Sequence, residues 1–330
     1  MQGLLLGLEE EVFLTEPSRP SLRSLYFLTR LLWREPRFYY AHSDSNFSRG
    51  ADLRQGMMSG VEISTLPCSS PDALVADLAG RREALASACG RAALVVPLGH
   101  LAEGDTPTNT CGLHLHLGGL AEPLRAYRRL ARYLPLLALL TANAPFRGGR
   151  QWGVSYRMAC SYAIGPLRPD PYYRFQDLIL ARRLGTLEAR VFDPTWDLDR
   201  LRVLADCALR VVLHGPDIEI DLEDYARLRH QAATAGYTPE LAARYRELSA
   251  FCPVDERLFA VPPAVVMVDL VREYGIVGAY SALDSAYRGG PLRPGHLPSG
   301  RGHPHQVLSG LVGYYLPRLP YKAQKAWREW

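Results

Sequence analysis

In four short stretches of the sequence, glutamate, histidine or arginine side chains lie at alternate positions or between apolar residues. This spacing puts side chains on one face of a β-strand. The first stretch holds Glu9 and Glu11 within an apolar run from residue 4 to residue 14. Two carboxylates about 7 Å apart on one strand face repel each other, and a divalent cation would relieve that repulsion because hard cations take carboxylate oxygens. Taken alone, the stretch is more simply explained as an exposed acidic turn.

The same alternation appears three more times along the chain. Glu62 lies between β-branched residues in the run 61–65, and His114 and His116 alternate with leucines between residues 112 and 118. Glu188 and Arg190 alternate with apolar residues between 186 and 193. An antiparallel sheet with one apolar and one polar face would bring these strands together. Its polar face would then collect Glu9, Glu11, Glu62, His114, His116, Glu188 and Arg190.

This set of side chains has the character of a site for a hard cation. Oxygen donors with one or two imidazoles suit Mg²⁺ or Mn²⁺, whereas structural zinc prefers thiolate and imidazole. Each part also has an ordinary explanation: the two histidines as exposed residues or a zinc pair, Glu188 with Arg190 as a surface ion pair, and Arg157 as an arginine lying over aromatic neighbours. The functional interpretation depends on their occurring together and in phase.

Composition narrows the class of protein. The chain has 330 residues, of which 48% are hydrophobic and 22% charged, so it can bury a sizeable core. A net charge of +4, evenly spread, does not indicate a nucleic-acid surface. The six cysteines form no Cys-x-x-Cys pair, and the longest apolar stretch, 133–144, is too short to span a membrane. We therefore expect a cytoplasmic protein with reduced thiols and no nucleic-acid or membrane partner.

Periodicity and capping signals predict an α+β protein. We expect a single catalytic domain over residues 1–330, with a sheet-forming part at about 1–195 and a mainly helical part at about 196–330. Ser70 and Pro71 mark the start of one helix. Helices are predicted at 20–34, 71–89, 122–142, 170–183, 198–214, 222–234, 239–250, 262–274 and 305–316, with a short strand at 93–97 and loops at 103–110, 143–149 and 288–305.

Six stretches in this order resemble the glutamate–cysteine ligase family, in particular its bacterial carboxylate–amine ligase branch. They are residues 7–11, 61–67, 112–116, 143–146, 155–158 and 187–193. The resemblance covers residues 4–195, whereas the helical part matches only in kind. It implies a glutamine-synthetase-like fold, in which helices pack on the convex face of a curved antiparallel sheet. The concave face would hold Mg²⁺ ions and ATP.

The resemblance also implies roles for individual residues. Glu9, His114 and Glu188 would hold metal on the phosphate side, and Glu11 and Glu62 a metal nearer the amino acid. His116 and Arg190 would contact the ATP phosphates. Arg157 would contact the substrate carboxylate or an acyl phosphate.

The sequence departs from the family pattern in one place. The family has a further acid shortly before the position of Glu62, and the stretch from Leu53 to Gly60 contains none. Either Asp52 or Gln55 would substitute, or the second metal would bind weakly.

The function implied is an ATP- and Mg²⁺-dependent (or Mn²⁺-dependent) ligase that joins the γ-carboxylate of glutamate to an amine through an acyl phosphate. Its substrates would be small molecules, an amino acid and an amine that the sequence does not name, and the sequence is compatible with a homo-oligomer. Three alternatives stay open. One is a phosphoryl transfer that stops at the phosphorylated substrate, the second a metal-dependent hydrolase that uses His114 and His116, and the third a non-catalytic nucleotide- or amino-acid-binding relative.

Overall fold

The computed structural model describes residues 3–18, 39–42, 60–107 and 109–299, together with isolated positions after residue 304; for 39–42 it describes the backbone only. The helix predicted at 20–34 lies outside these residues, as do Asp52 and Gln55, and the helix predicted at 305–316 lies largely outside them.

The described strands form one seven-stranded antiparallel sheet and a separate small hairpin. The sheet consists of β1 (Leu5–Thr15), β2 (Tyr39–His42), β3 (Gly60–Ser64), β4 (Leu94–Val96), β5 (Leu113–Gly118), β8 (Leu178–Ala181) and β9 (Thr186–Phe192), and the hairpin of β6 (Phe146–Arg147) and β7 (Arg150–Gln151). Across the sheet the order is β2-β3-β1-β5-β9-β8, and β4 pairs with the end of β1. The central strands are therefore β1, β5 and β9.

The helices are α1 (Pro71–Cys89), α2 (Pro123–Ala138), α3 (Tyr156–Cys160), α4 (Leu198–His214), α5 (Leu222–Thr234), α6 (Pro239–Ser249), α7 (Arg257–Ala260) and α8 (Pro263–Tyr287). The predicted start of α1 is confirmed, because the Ser70 side chain accepts a hydrogen bond from the amide of Ala73 and Pro71 opens the helix. Asp197, Asp221 and Thr238 cap the starts of α4, α5 and α6 in the same way.

One face of the sheet packs on helices. Leucines of β1, β5 and β9 form a single buried cluster with apolar residues of α1, α2, α4 and α5. In β5 the three leucines are 0% exposed, as the alternation predicts for the apolar face. A second cluster joins β4 and Phe13 to α8. The predicted α+β class, with an antiparallel sheet covered by helices, is confirmed. Within the described residues, no helix combines the length and apolar content needed to cross a bilayer.

The helix predicted at 170–183 is wrong. The chain makes turns after Asp170 and then forms strand β8, which pairs with β9. The apolar run from Leu178 to Ala181 suits a short buried strand as well as a helix segment, and pairing with β9 satisfies its backbone.

Three boundaries also differ from the prediction. Helix α2 ends at Ala138 rather than at residue 142, and the predicted loop at 143–149 contains strand β6. Helix α8 continues to Tyr287, although the predicted end falls at a break in the helix where Gly275 has φ 69.

Candidate active site

The register of the central strands brings the predicted polar residues together on the face opposite the helices. Glu9 of β1 lies directly opposite His114 of β5, and His116 of β5 lies opposite Glu188 of β9. Glu11 of β1 lies opposite Glu62 of β3. Directly opposed residues on one face are within contact distance, so the sheet itself assembles the site.

The four side chains at the centre lie within a few ångströms of one another. Glu9 Oε2 is 3.3 Å from His114 Nδ1 and 3.5 Å from His116 Nε2. His114 Nδ1 is also 3.7 Å from Glu188 Oε1. One ligand atom from each of Glu9, His116 and Glu188 lies within 4.8 Å of the other two. Both histidines therefore contact the acids. The distances do not separate the metal role predicted for His114 from the phosphate role predicted for His116, and both roles stay predictions.

The two histidines control the charge of Glu9. Burial acts to raise the pKa of Glu9, but the contacts with His114 and His116 outweigh it and hold the pKa well below its ordinary value. Glu9 is therefore a carboxylate throughout the neutral range. An anionic oxygen beside imidazole nitrogens is a suitable ligand set for a divalent cation.

The residues present fit such a cation. Ligands of Mg²⁺ lie about 2.0–2.1 Å from the metal, so two of them are at most about 4.2 Å apart. The mutual distances in the cluster, within 4.8 Å, need only small side-chain shifts. In addition, His116 Nε2 is buried and has no hydrogen-bond partner among the described residues. A buried nitrogen in this state requires a partner that the described residues do not supply.

The second pair of acids is tied to the start of β5. The amide of Gly112 donates a hydrogen bond of 2.5 Å to Glu11 Oε2, which fixes the Glu11 side chain beside the backbone that leads to His114. Glu62 faces it across the β1–β3 ladder. This pair extends the line of acids from the central cluster toward β3.

Arg190 borders the central cluster. Its Nε lies 3.5 Å from Glu188 Oε1, and its Nη1 donates a hydrogen bond of 3.1 Å to the carbonyl of Arg174. The Nε atom is buried and has no hydrogen-bond partner among the described residues. The guanidinium therefore keeps an unused donor beside the acids, as an anion site requires.

Strand β9 contains a β-bulge where Arg190 lies. Leu113 pairs with Phe192 and Leu115 with Ala189, so one residue of β5, His114, opposes two residues of β9, Arg190 and Val191. Bulges of this kind redirect side chains next to functional sites. The alternation in the sequence predicts the strand correctly but gives no sign of the extra residue.

Arg157 lies beneath this bulge and is 2% exposed. Its guanidinium donates hydrogen bonds of 3.0 Å to the carbonyls of Arg190, Val191 and Phe192. It also lies close to the start of β5, because a Cβ atom on Gly112 would be 2.1 Å from Arg157 Nη2. Arg157 thus holds the backbone of β9 in the described structure, and its predicted contact with a substrate carboxylate stays a prediction.

A cavity of about 360 Å³ opens beside Glu9 and His116. Its walls are mostly apolar or glycine, and Thr186, which lines it, contacts His116 Nδ1 through Oγ1 at 3.1 Å. The other lining residues are Leu5, Leu6, Gly7, Leu8, Ser64, Thr65, Pro67, Gly118, Gly119, Leu184 and Gly185. Sequence reasoning missed this cavity, because it is formed by strand ends and turns that are adjacent only in the fold.

The sequence analysis did not predict that Glu10 is a buried residue with a structural role. It is 0% exposed on the helix-facing side of β1 and accepts hydrogen bonds from the Arg82 guanidinium and, at 3.0 Å, from the Tyr287 hydroxyl. The sequence does contain an indication of this role, because Glu10 is in phase with Leu8 and Val12 on the apolar face of the strand. A charged residue on that face needs a buried partner.

Comparisons with known proteins find similarity to glutamate–cysteine ligases. No family model matches the chain. A Saccharopolyspora erythraea protein with the provisional name glutamate–cysteine ligase 2-1 is 27% identical over 256 residues, which are 62% of this chain and 65% of that protein. A Pseudomonas aeruginosa protein provisionally named glutamate–cysteine ligase 2 is 38% identical over 85 residues, 23% of this chain and 22% of that protein. The chain thus matches less than two thirds of the length of these relatives.

The crystal structure of glutamate–cysteine ligase from Francisella tularensis in complex with AMP has the same fold. It superposes with a TM-score of 0.59 over 97% of this chain and 94% of that chain, at 10% sequence identity. The resemblance expected from the ordered motifs is therefore confirmed: in sequence and in fold, the chain is similar to glutamate–cysteine ligases.

Proposed function

We propose that the protein is a carboxylate–amine ligase that uses ATP and Mg²⁺ (or Mn²⁺). The γ-carboxylate of glutamate is the acyl donor: it takes the γ-phosphoryl group of ATP to form an acyl phosphate, and an amine then displaces phosphate. The observation that carries the proposal is the meeting of Glu9, His114, His116 and Glu188 on the polar face of the sheet. The names of the relatives support the same class of reaction.

The acids and histidines would hold the metal ions. Glu9, His114 and Glu188 would bind on the phosphate side, with His116 beside them, and Glu11 and Glu62 would bind nearer the amino acid. When bound, Mg²⁺ neutralises charge on the transferring phosphoryl group. The depressed pKa of Glu9 keeps this residue in its binding form at neutral pH.

The two arginines would act on anions in different ways. Arg190 offers the unused donor of its guanidinium beside Glu188, and the planar fork of the side chain suits a phosphate. Arg157 holds the β9 backbone that carries Arg190, and it would contact the substrate carboxylate or acyl phosphate by exchanging one of these backbone partners. No nucleophilic side chain is needed, because the substrate carboxylate attacks the phosphoryl group itself.

The cavity beside Glu9 and His116 would take the nucleoside part of ATP. Its largely apolar walls suit a purine and ribose, and one end meets the cluster that would hold the phosphates. A volume of about 360 Å³ falls in the range of about 300–1,000 Å³ usual for small-molecule sites. The AMP bound in the Francisella tularensis ligase supports a nucleotide site in this fold.

The test is a screen for ADP release. The full chain is incubated with ATP, Mg²⁺ or Mn²⁺, glutamate and a panel of primary amines that includes cysteine. Hydroxylamine is added in a parallel series, because it traps an acyl phosphate as a hydroxamate. We expect ADP release that depends on glutamate and metal, and hydroxamate formation at the γ-carboxylate.

Three results would contradict the proposal. One is ADP release that needs no carboxylate substrate. Another is substrate hydrolysis that needs Zn²⁺ and no ATP, which would support the hydrolase instead. The third is tight ATP binding without turnover on any member of the panel, which would support the non-catalytic alternative. The Glu122→Gln variant serves as a control for charge, because this glutamate is 64% exposed and lies immediately before α2, at the helix-covered face.

A further inference from the structure

Strand β8 lies at the edge of the sheet, and the residues just before it contact Arg190 at two points. The amide of Arg190 donates a hydrogen bond of 2.7 Å to the carbonyl of Asp177. Its guanidinium donates one of 3.1 Å to the carbonyl of Arg174. The segment 174–177 therefore determines both where Arg190 lies in the strand and where its side chain points.

An edge strand is held by a backbone ladder on one side only. Strand β8 pairs with β9 and is the last strand on this side of the described sheet. The segment before β8 therefore needs another anchor if it is to hold Arg190 in one orientation.

Helix α5 supplies that anchor through the side chain of Asp177. The Tyr225 hydroxyl donates a hydrogen bond of 2.7 Å to Asp177 Oδ2. The Arg229 guanidinium donates to both carboxylate oxygens, at 3.1 Å from Nη2 to Oδ1 and more closely from Nε to Oδ2. Tyr225 and Arg229 lie one helical turn apart, so both reach the same point.

The hydrogen bonds among Asp177, Tyr225 and Arg229 form a buried network that restrains all three side chains. The side chain of Asp177 is 0% exposed and that of Arg229 6%. Burial acts to lower the pKa of Arg229, but Asp177 outweighs it and raises the pKa, so the guanidinium stays charged. Buried charged pairs with complete hydrogen bonding are costly to disturb. Asp177 lies outside the central cluster of Glu9, His116 and Glu188.

We infer that Asp177 is a positioning residue which, held by Tyr225 and Arg229, fixes the segment 174–177 and thereby directs the Arg190 guanidinium toward the Glu9–Glu188 cluster. The inference rests on the proposed function, in which Arg190 contacts phosphate. It adds a connection from the helical layer to the polar face of the sheet, through residues that touch no substrate.

The test uses the mildest change that loosens the anchor. Tyr225→Phe removes one hydroxyl from the network and keeps the ring. Tyr127→Phe is the matched control, because Tyr127 is buried close to Asp177 and its hydroxyl has no hydrogen-bond partner among the described residues. Binding of a non-hydrolysable ATP analogue with Mg²⁺ is measured by calorimetry on the full chain, and melting temperature is recorded for each variant.

We expect Tyr225→Phe to weaken binding of the analogue about fivefold and Tyr127→Phe to leave it unchanged. The double variant Tyr225→Phe/Arg190→Lys should bind no more weakly than Arg190→Lys alone, because residues that act through one another are not additive. Arg229→Lys keeps the positive charge but loses the two guanidinium donors that bond both carboxylate oxygens of Asp177. It should weaken binding of the analogue as Tyr225→Phe does.

Three outcomes would contradict the inference about Asp177. If Arg190→Lys weakens binding and Tyr225→Phe and Arg229→Lys do not, the inference is wrong and the proposed phosphate contact stands. If the effects of Tyr225→Phe and Arg190→Lys add independently, the network is merely structural and the inference is also wrong. If Arg190→Lys itself leaves binding of the analogue unchanged, the proposed phosphate contact fails and the inference fails with it.

Discussion

Glu10 and Arg82 form a buried ion pair on the helix-covered face of β1, the strand whose other face carries Glu9 and Glu11. Arg82 Nε donates a hydrogen bond of 3.0 Å to Glu10 Oε2, and Nη2 donates to Oε1. The same guanidinium donates to the carbonyls of Thr195 and Trp196, at 2.7 and 3.1 Å. One arginine of α1 thus joins β1 to the segment that follows β9. This connection starts from the helix-covered face of β1, on the side of the sheet away from the site.

We predict that Arg82→Met lowers the free energy of unfolding by about 3–5 kcal/mol, because it leaves the Glu10 carboxylate buried without its cation. Denaturant unfolding followed by circular dichroism measures the change. Arg272→Met is the control: its partner Asp269 is exposed, and the loss should be at most about 1 kcal/mol. Equal losses in the two variants would show that the buried pair contributes no more than a surface pair.

Glu9→Gln and Glu188→Gln should each lower the rate of ADP formation about 100-fold or more, because they remove the charge that a metal-bound phosphate requires while keeping nearly the same volume. The rate is measured at saturating ATP over a titration of Mg²⁺ and Mn²⁺. Circular dichroism should show an unchanged fold. Turnover near that of the parent protein at high Mg²⁺ would remove these residues from the proposed site.

Gly112→Ala should lower activity strongly, because its Cβ would lie 2.1 Å from Arg157 Nη2 and 3.2 Å from His114 Nε2. The change pushes apart the arginine that supports β9 and a histidine of the cluster. Gly80→Ala is the matched control: nothing lies within 4 Å of its Cβ on helix α1, and alanine should stabilise the helix by up to about 1 kcal/mol. Activity assays and thermal melts on both variants check this, and normal activity in Gly112→Ala would contradict the close packing described here.

Stability should depend on pH through His100. Burial lowers the pKa of His100 below its ordinary value, against a smaller opposing effect of the hydrogen bond from Nε2 to the Thr106 carbonyl. Below about pH 6.5 the unfolded chain takes up a proton that the folded chain resists. The stability that neutral His100 contributes to the fold is therefore complete above about pH 6.5. It is lost as the pH falls, by up to about 1.4 kcal/mol per pH unit for this group.

Unfolding measured between pH 7.5 and 5 should show a smaller loss of stability in His100→Gln than in the parent protein. A glutamine amide keeps a donor for the Thr106 carbonyl but does not titrate. His230→Gln is the control, because His230 is exposed on α5. An unchanged pH dependence in His100→Gln would show that another group is responsible.

The strands of the site could be predicted because a period of two is a strong signal. His114 and Glu188 each occupy a polar position between apolar neighbours, Glu9 lies in phase with Glu11, and antiparallel pairing then places Glu9, His114 and Glu188 together. The buried partners could not be predicted. Arg82 is 72 positions from Glu10, and Arg229 is 52 from Asp177, and nothing local in the sequence specifies which distant arginine fills such a place.

Strand β8, at the edge of the sheet, is another feature that the local sequence does not specify. The run from Leu178 to Ala181 is apolar throughout, so its sequence is compatible with a helix or a strand, and the outcome is decided by the free edge of β9. The extra residue of the bulge at Arg190 is likewise not indicated by the alternation of residue types.

The bulge in β9 has a consequence for how the chain finds its fold. If β9 paired with β5 one position out of step, Glu188 and Arg190 would turn toward the leucine layer, and the Glu188 carboxylate would be buried among apolar side chains. Arg157 stabilises the bulged arrangement, because its guanidinium donates hydrogen bonds to three successive carbonyls, those of Arg190, Val191 and Phe192. A side chain from outside the sheet thus adds to the stability of the correct pairing of two strands.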